Sequence, residues 1–92
     1  MRVQFLETAK AELREAVRYD NQQREGLGRE FAAEVRKATE RISKLLNTWP
    51  PISDNARRFL LRRFPYGIVY LVEHKTVFIV AVMHLSRDPV LW

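Results

Sequence analysis

The chain has 92 residues, 47% of them hydrophobic, enough for one domain with a modest core and too apolar for a disordered segment. It carries 16 Lys and Arg against 11 Asp and Glu, a net charge of +5, and no cysteine. The lack of cysteine excludes a disulfide framework and a thiolate metal site, and makes a reducing cytoplasm the natural compartment.

The N-terminal stretch MRVQFLETAKAE has no long apolar signal-peptide core, and the longest apolar run, Val77–Met83, is too short to span a bilayer. Residues 1–92 therefore read as a single domain. The charge is uneven. Residues 1–48 hold 10 basic and 8 acidic side chains, whereas residues 49–92 hold 6 and 3, four of the six being Arg57, Arg58, Arg62 and Arg63. Arginine outnumbers lysine 12 to 4. That bias suits bidentate contact with phosphate or carboxylate, on RNA, DNA or an acidic protein segment, or it is ordinary surface charge.

In chain order, Val3–Leu6 predicts a brief edge or joining strand. Thr8 is placed to cap a helix whose inner face carries Ala9, Leu13, Ala16 and Val17 and which runs to about Gln23. The stretch Arg24-Glu-Gly-Leu-Gly28, with two glycines, predicts a short helix–helix turn. Phe31, Val35, Ala38, Ile42, Leu45 and Trp49 then form one apolar stripe at helical spacing. On its other faces Glu30 and Glu34 repel, while Glu34–Lys37 and Glu40–Lys44 can pair for about 0.2–0.5 kcal/mol each. Pro50-Pro51 should end this helix, with a loop following through Asn55.

The last third predicts three strands: a mixed run Phe59–Phe64, then Tyr66–Glu73 and Thr76–Met83, rich in β-branched and aromatic residues. His74-Lys75 between the last two has hairpin-turn length but not the residue types that accept positive φ, which leaves the turn type open. Alternation puts Ile68, Tyr70 and Val72 opposite Val69 and Leu71. It also puts Phe78, Val80 and Val82 opposite Val77, Ile79, Ala81 and Met83. Both sheet faces are then apolar, yet two helices cover only one, so a partner segment, or the tail with Leu91 and Trp92, is expected on the second.

Two clusters could carry chemistry. One is Arg57, Arg58, Arg62 and Arg63; the other is His84, Ser86, Arg87, Asp88 and Trp92. If they converge they suit a metal-free ribonuclease, with arginines on the phosphate, His84 as general acid or base, and Trp92 or Tyr70 stacking on a base. A histidine at a strand end is more often structural, and strand order decides which arginines approach it. Two histidines without cysteine give no metal-ligand spacing, so neither a metal nor a cofactor is expected.

The runs ARRFLLRRFPYGIVYLVE and VAVMHLSRDPVLW, preceded by AELREAV, GLGREFAAEVRKATERI and WPP, resemble the RelE/ParE superfamily of type II toxins, closest to the ParE-like plasmid stabilisation branch. The resemblance implies an α+β fold, β-α-α-β-β-β, with a helical hairpin on a mainly antiparallel sheet. It also implies a growth inhibitor neutralised by a cognate antitoxin that wraps it with an acidic segment and carries any operator DNA binding. Tyr70, Phe78 and Val80 would then meet the antitoxin. For the target it implies two alternatives. A ParE-like toxin binds DNA gyrase, with Arg62, His84, Arg87 and Trp92 then serving as family structure or gyrase contacts; on either alternative Arg57, Arg58, Arg63 and Trp92 would contact the target or RNA. A RelE-like toxin is a ribosome-dependent mRNA endonuclease, with His84, Arg87 and Arg62 in the catalytic roles. The lysine pair and terminal tyrosine of the RelE branch have no counterpart here, which favours gyrase. A third possibility is an inactive relative kept for complex formation.

Overall fold

A computed structural model of the protein describes residues 1–45, 51–52 and 55–86. Along it run β1 (Arg2–Phe5), α1 (Glu7–Gln23), α2 (Leu27–Lys44), β2 (Ala56–Leu60), β3 (Tyr66–Glu73) and β4 (Thr76–His84). The strands form one sheet in the order β1-β4-β3-β2, with β1 parallel to β4 and the other two pairings antiparallel. The expected α+β order is present, with β1 at an edge. Among the described residues no helix is long and apolar enough to cross a membrane.

The first helix starts earlier than its sequence signal. Leu6, not Thr8, occupies the N-cap position, and no side chain caps it. The Leu6 N–H still donates to the Ile79 carbonyl at 3.0 Å, while its own carbonyl accepts from the Lys10 N–H at 2.9 Å. One residue thus closes the strand pairing and opens the helix, which leaves Thr8 inside the first turn. Glu7 supplies the negative charge that this helix end favours.

The two glycines of the connection do different jobs. Gly26 has φ +85 and makes the turn, but Gly28 already lies within α2. A Cβ on Gly28 would come within 2.4 Å of the Val17 carbonyl oxygen and 2.7 Å of the Asn21 side chain. The Gly28 N–H donates instead to Asn21 Oδ1 at 2.8 Å. The second glycine therefore serves close helix–helix approach, not the turn. Further along α2, Phe31, Val35, Ala38 and Ile42 are all buried. The helix ends at Lys44, where Leu45 leaves helical geometry, φ −131 and ψ 55, and is about half exposed. It therefore stops short of the prolines. Trp49 and Pro50 lie outside the described residues.

The strand expected at Phe59–Phe64 is instead Ala56–Leu60. Leu61 donates to the Tyr66 carbonyl at 3.0 Å and Tyr66 to the Phe64 carbonyl at 2.8 Å, closing a connection over residues 61–65. Leu61 and Phe64, whose apolarity suggested strand, enter the core from this connection. The next turn adopts φ 51 at His74 and φ 60 at Lys75. Positive φ at both central residues marks a type I′ hairpin despite the unfavourable residue types.

Strict alternation fails in β4. Val69 pairs with Ala81 and Tyr70 with Ile79, so Val80 is an extra residue, a β-bulge. Val77 and Ile79 before it, and Val82 after it, all join the core under the helices. Ala81 and Met83 join Ala56 and Val69 on the other face, with Ile52 and Val80 packed against them. Val82 thus leaves the face expected to hold Phe78 and Val80. The second face is buried at its centre, and its uncovered apolar surface is marginal: Leu60 is exposed, Leu71 and Phe78 half-buried.

Gly28→Ala should lower stability by about 1–3 kcal/mol, because α1 and α2 must part to admit the methyl group. Replacing His74-Lys75 by Asn-Gly should raise stability by about 1 kcal/mol, since those residues accept positive φ at lower cost. Chemical denaturation midpoints check both.

Candidate functional site

Of the functional residues expected from sequence, His84, Arg62 and Arg63 lie at one end of the sheet, where the 61–65 connection meets the end of β4, whereas Arg57, Tyr70, Phe78 and Val80 lie further along it. Leu85 donates to the Pro65 carbonyl at 2.8 Å, which ties the chain after His84 to that connection. Tyr66 and His84 are paired across β3 and β4, and their rings meet edge to face at 5.0 Å. Tyr66 lies 4.7 Å from Phe31 of α2, and Phe31 lies 5.2 Å from Phe64. An aromatic chain thus runs from α2 to the histidine and places the imidazole on the helix-covered side.

His84 is half-buried, and its Nδ1 accepts the Ser86 backbone N–H at 3.1 Å, with Ser86 Oγ at 3.2 Å. A backbone N–H can only donate, so the neutral ring carries its proton on Nε2. In this arrangement the Nδ1 lone pair is engaged in the turn and is not available to take a proton from a substrate.

The four arginines do not form one cluster. Arg57 stands opposite Tyr70 and shares the helix side of the sheet with it. Arg58, opposite Val69, lies on the other face. Its stem runs over Gly67, where a Cβ would sit 3.2 Å from the Arg58 Cδ and 3.4 Å from Leu85 Cδ2. The absent side chain at Gly67 therefore makes room for the arginine, a role that a glycine within a β run can signal. Arg62 is exposed beside a cleft of about 140 Å³ between α2 and β2 that also contains Lys37 and Arg41. The Arg41 guanidinium lies 5.7 Å from the centre of the Phe59 ring.

Arg63, expected to contact a target, is ion-paired to α2 while its side chain stays about half exposed. It bonds Glu30 at 2.7 Å and Glu34 at 3.5 Å, and lies 5.3 Å from the centre of the Phe64 ring. Arg24 reaches Glu30 at 3.2 Å. The two glutamates that repel along the helix are thus the jaws of a clamp for the 61–65 connection, which no local spacing signals. The hydrogen bond from Arg63 is the main reason that the Glu30 carboxyl is held below its ordinary 4.5, partial burial acting against it; the same bond raises Arg63.

Tyr70 is 1% exposed, so it offers neither a stacking surface nor an antitoxin contact. Burial raises its phenol, with Arg57 acting in the opposite direction. Phe78 and Val80 remain on the second face and half-buried. Arg87, Asp88 and Trp92 lie outside the described residues. Glu12 was not singled out by its sequence, yet its Oε1 accepts the Val82 N–H at 2.9 Å beside the bulge. Among the described residues, no group of three His, Cys, Asp or Glu side chains could hold a metal ion.

A depressed carboxylate contributes stability above its ordinary range and loses it as pH falls through its folded-state value. Arg63→Met should therefore destabilise the protein at neutral pH and low salt. The difference should vanish at about 1 M salt, where screening is nearly complete, and on acidification through the Glu30 titration. Denaturation across pH and salt tests this. A loss that persists in acid and in salt would mean that packing on Phe64, not charge, holds the connection.

Over residues 3–89 the sequence matches the family model described as ParE toxin of type II toxin-antitoxin system, parDE. No curated protein matches the sequence. Among solved structures, a chain from the chromosomal ParDE TA system from P. aeruginosa has a TM-score of 0.69 at 16% identity, over 94% of this chain and 97% of that one. At that identity the likeness speaks for the fold.

Proposed function

Because the chain belongs to the ParE toxin family of type II toxin-antitoxin systems, we propose that it inhibits growth by binding DNA gyrase rather than by cleaving RNA. The dispersal of the arginines carries this reading. Metal-free phosphoryl chemistry needs positive charge converging where the extra negative charge develops, within reach of a general base. Here Arg57 and Arg58 face opposite sides of the sheet and Arg63 is held by two glutamates. His84 spends its Nδ1 lone pair on Ser86. A binding toxin needs none of these to converge; it needs a rigid surface with charge and apolar contacts at its rim.

The second reading, a ribosome-dependent mRNA endonuclease, draws support from one observation. The Arg58 stem points along Gly67 toward Leu85, at the same end of the sheet as His84, though on the other face.

In a supercoiling reaction, the purified toxin should inhibit gyrase, and its cognate antitoxin should restore activity. His84→Ala should keep that inhibition within about twofold, a change of under 0.5 kcal/mol in binding. Gyrase that works normally at toxin concentrations that arrest growth would overturn the proposal.

A further inference from the structure

The cleft of about 140 Å³ between α2 and β2 gathers positive charge that the fold does not use. Phe59 and Leu61 give it apolar walls, Lys37, Arg41 and Arg62 its cations, and Glu34 is the carboxylate among its lining residues. Three positive charges against one negative leave a net +2, and Glu34 is already engaged by Arg63 at 3.5 Å. Neither Lys37 nor Arg62 has an ion-pair partner among the described residues. Lys37 and Arg41, four apart on one helix, repel each other.

These like charges are held together by rigid backbone. Arg62 stands between two fixed neighbours. Leu61 is buried and donates to the Tyr66 carbonyl at 3.0 Å, while Arg63 is paired with Glu30 and Glu34. Arg62 itself stays exposed. Arg41 rests over the Phe59 ring, its guanidinium 5.7 Å from the ring centre. Ala38 and Ile42, buried beside it on α2, anchor that stretch of the helix. A cleft lined by one sign of charge focuses potential, and cations placed before binding cost little to order when a ligand arrives.

We propose that this cleft binds a phosphate group, held by Lys37, Arg41 and Arg62 and supplied either by the backbone of a nucleic-acid strand or by free phosphate. The cations approach from a helix and from a separate connection, so they suit a compact anion with acceptor oxygens on several sides. A cavity of about 150 Å³ holds a molecule the size of benzene, so a phosphate group fits. The site binds and does not cleave. No histidine or tyrosine is among its lining residues, and its one carboxylate is ion-paired. The inference goes beyond the gyrase reading and does not rest on it, because binding here is measured on the toxin alone.

Titrating the isolated toxin with inorganic phosphate, followed by NMR, tests it. The side-chain N–H signals of Arg41 and Arg62 and the amides around Lys37 should shift together and saturate. Lys37→Glu with Arg62→Glu should weaken phosphate binding by about tenfold or more. Lys37→Gln with Arg62→Gln should weaken it too, without adding negative charge. Both residues are exposed, so the glutamine pair should keep the wild-type denaturation midpoint. Lys10→Glu with Arg14→Glu, exposed on α1, makes the same change in net charge elsewhere and should leave binding within about twofold. A single-stranded DNA or RNA oligonucleotide that binds at least about tenfold tighter than phosphate, with an affinity falling by a log–log salt slope of about −0.7 per phosphate engaged, identifies a nucleic-acid backbone as the source. Oligonucleotides no tighter than inorganic phosphate identify free phosphate. Shifts that never saturate, or that weaken equally in the α1 variant, would overturn the proposal and reduce the cleft to ordinary surface charge.

Discussion

The extra residue at Val80 is the constraint on which the rest of the sheet depends. Without it, one parity would run the length of β4, and Val82 and His84 would turn away from Val77 and Ile79. With it, Val77, Ile79 and Val82 all pack under the helices, and His84 arrives beside Tyr66. The bulge sits where β1 has ended its pairing at Ile79, so Val82 has an N–H with no strand to receive it. Glu12 of α1 takes that hydrogen bond. A buried backbone donor left unsatisfied costs about 1–3 kcal/mol, so this carboxylate both fixes α1 on the sheet and makes the irregularity tolerable.

Element order and type were legible because the patterns are long: eight residues of β-formers at Tyr66–Glu73 and a helical stripe from Phe31 to Ile42 have few other readings. What was not legible is everything set by a distant partner. Thr8 looks like a cap only if the helix starts afresh, whereas the Leu6–Ile79 bond makes strand and helix share a residue. Gly28 reads as a turn residue until Val17 is seen against it. Glu30 and Glu34 read as mutual repulsion until Arg63 arrives from 29 and 33 residues away. The bulge has no marker at all, since Val80 is as good a strand residue as its neighbours.

The candidate site shows the same division. The residue types were readable, and the order β1-β4-β3-β2 brings the start of β3 and the 61–65 connection beside His84. Their roles were not. Adjacent arginines on a strand, such as Arg57 and Arg58, must face opposite ways, and of the two in the connection Arg63 pairs with Glu30 and Glu34 while Arg62 stands beside the cleft between α2 and β2. Dense positive charge in a sequence thus became, in space, four separate environments. That is the physical basis for reading the protein as a binder: Arg63 pairs with Glu30 and Glu34, His84 accepts from Ser86, and Arg57 and Arg58 face opposite sides of the sheet.

The most direct measurement of this account is primer extension on mRNA from a cell-free translation reaction containing the toxin freed of its antitoxin. Messages should stay intact at toxin concentrations that arrest growth. Cuts that require translating ribosomes and disappear with His84→Ala would contradict it, and would mean that His84 releases Ser86 and the arginines regroup around a phosphate on the ribosome.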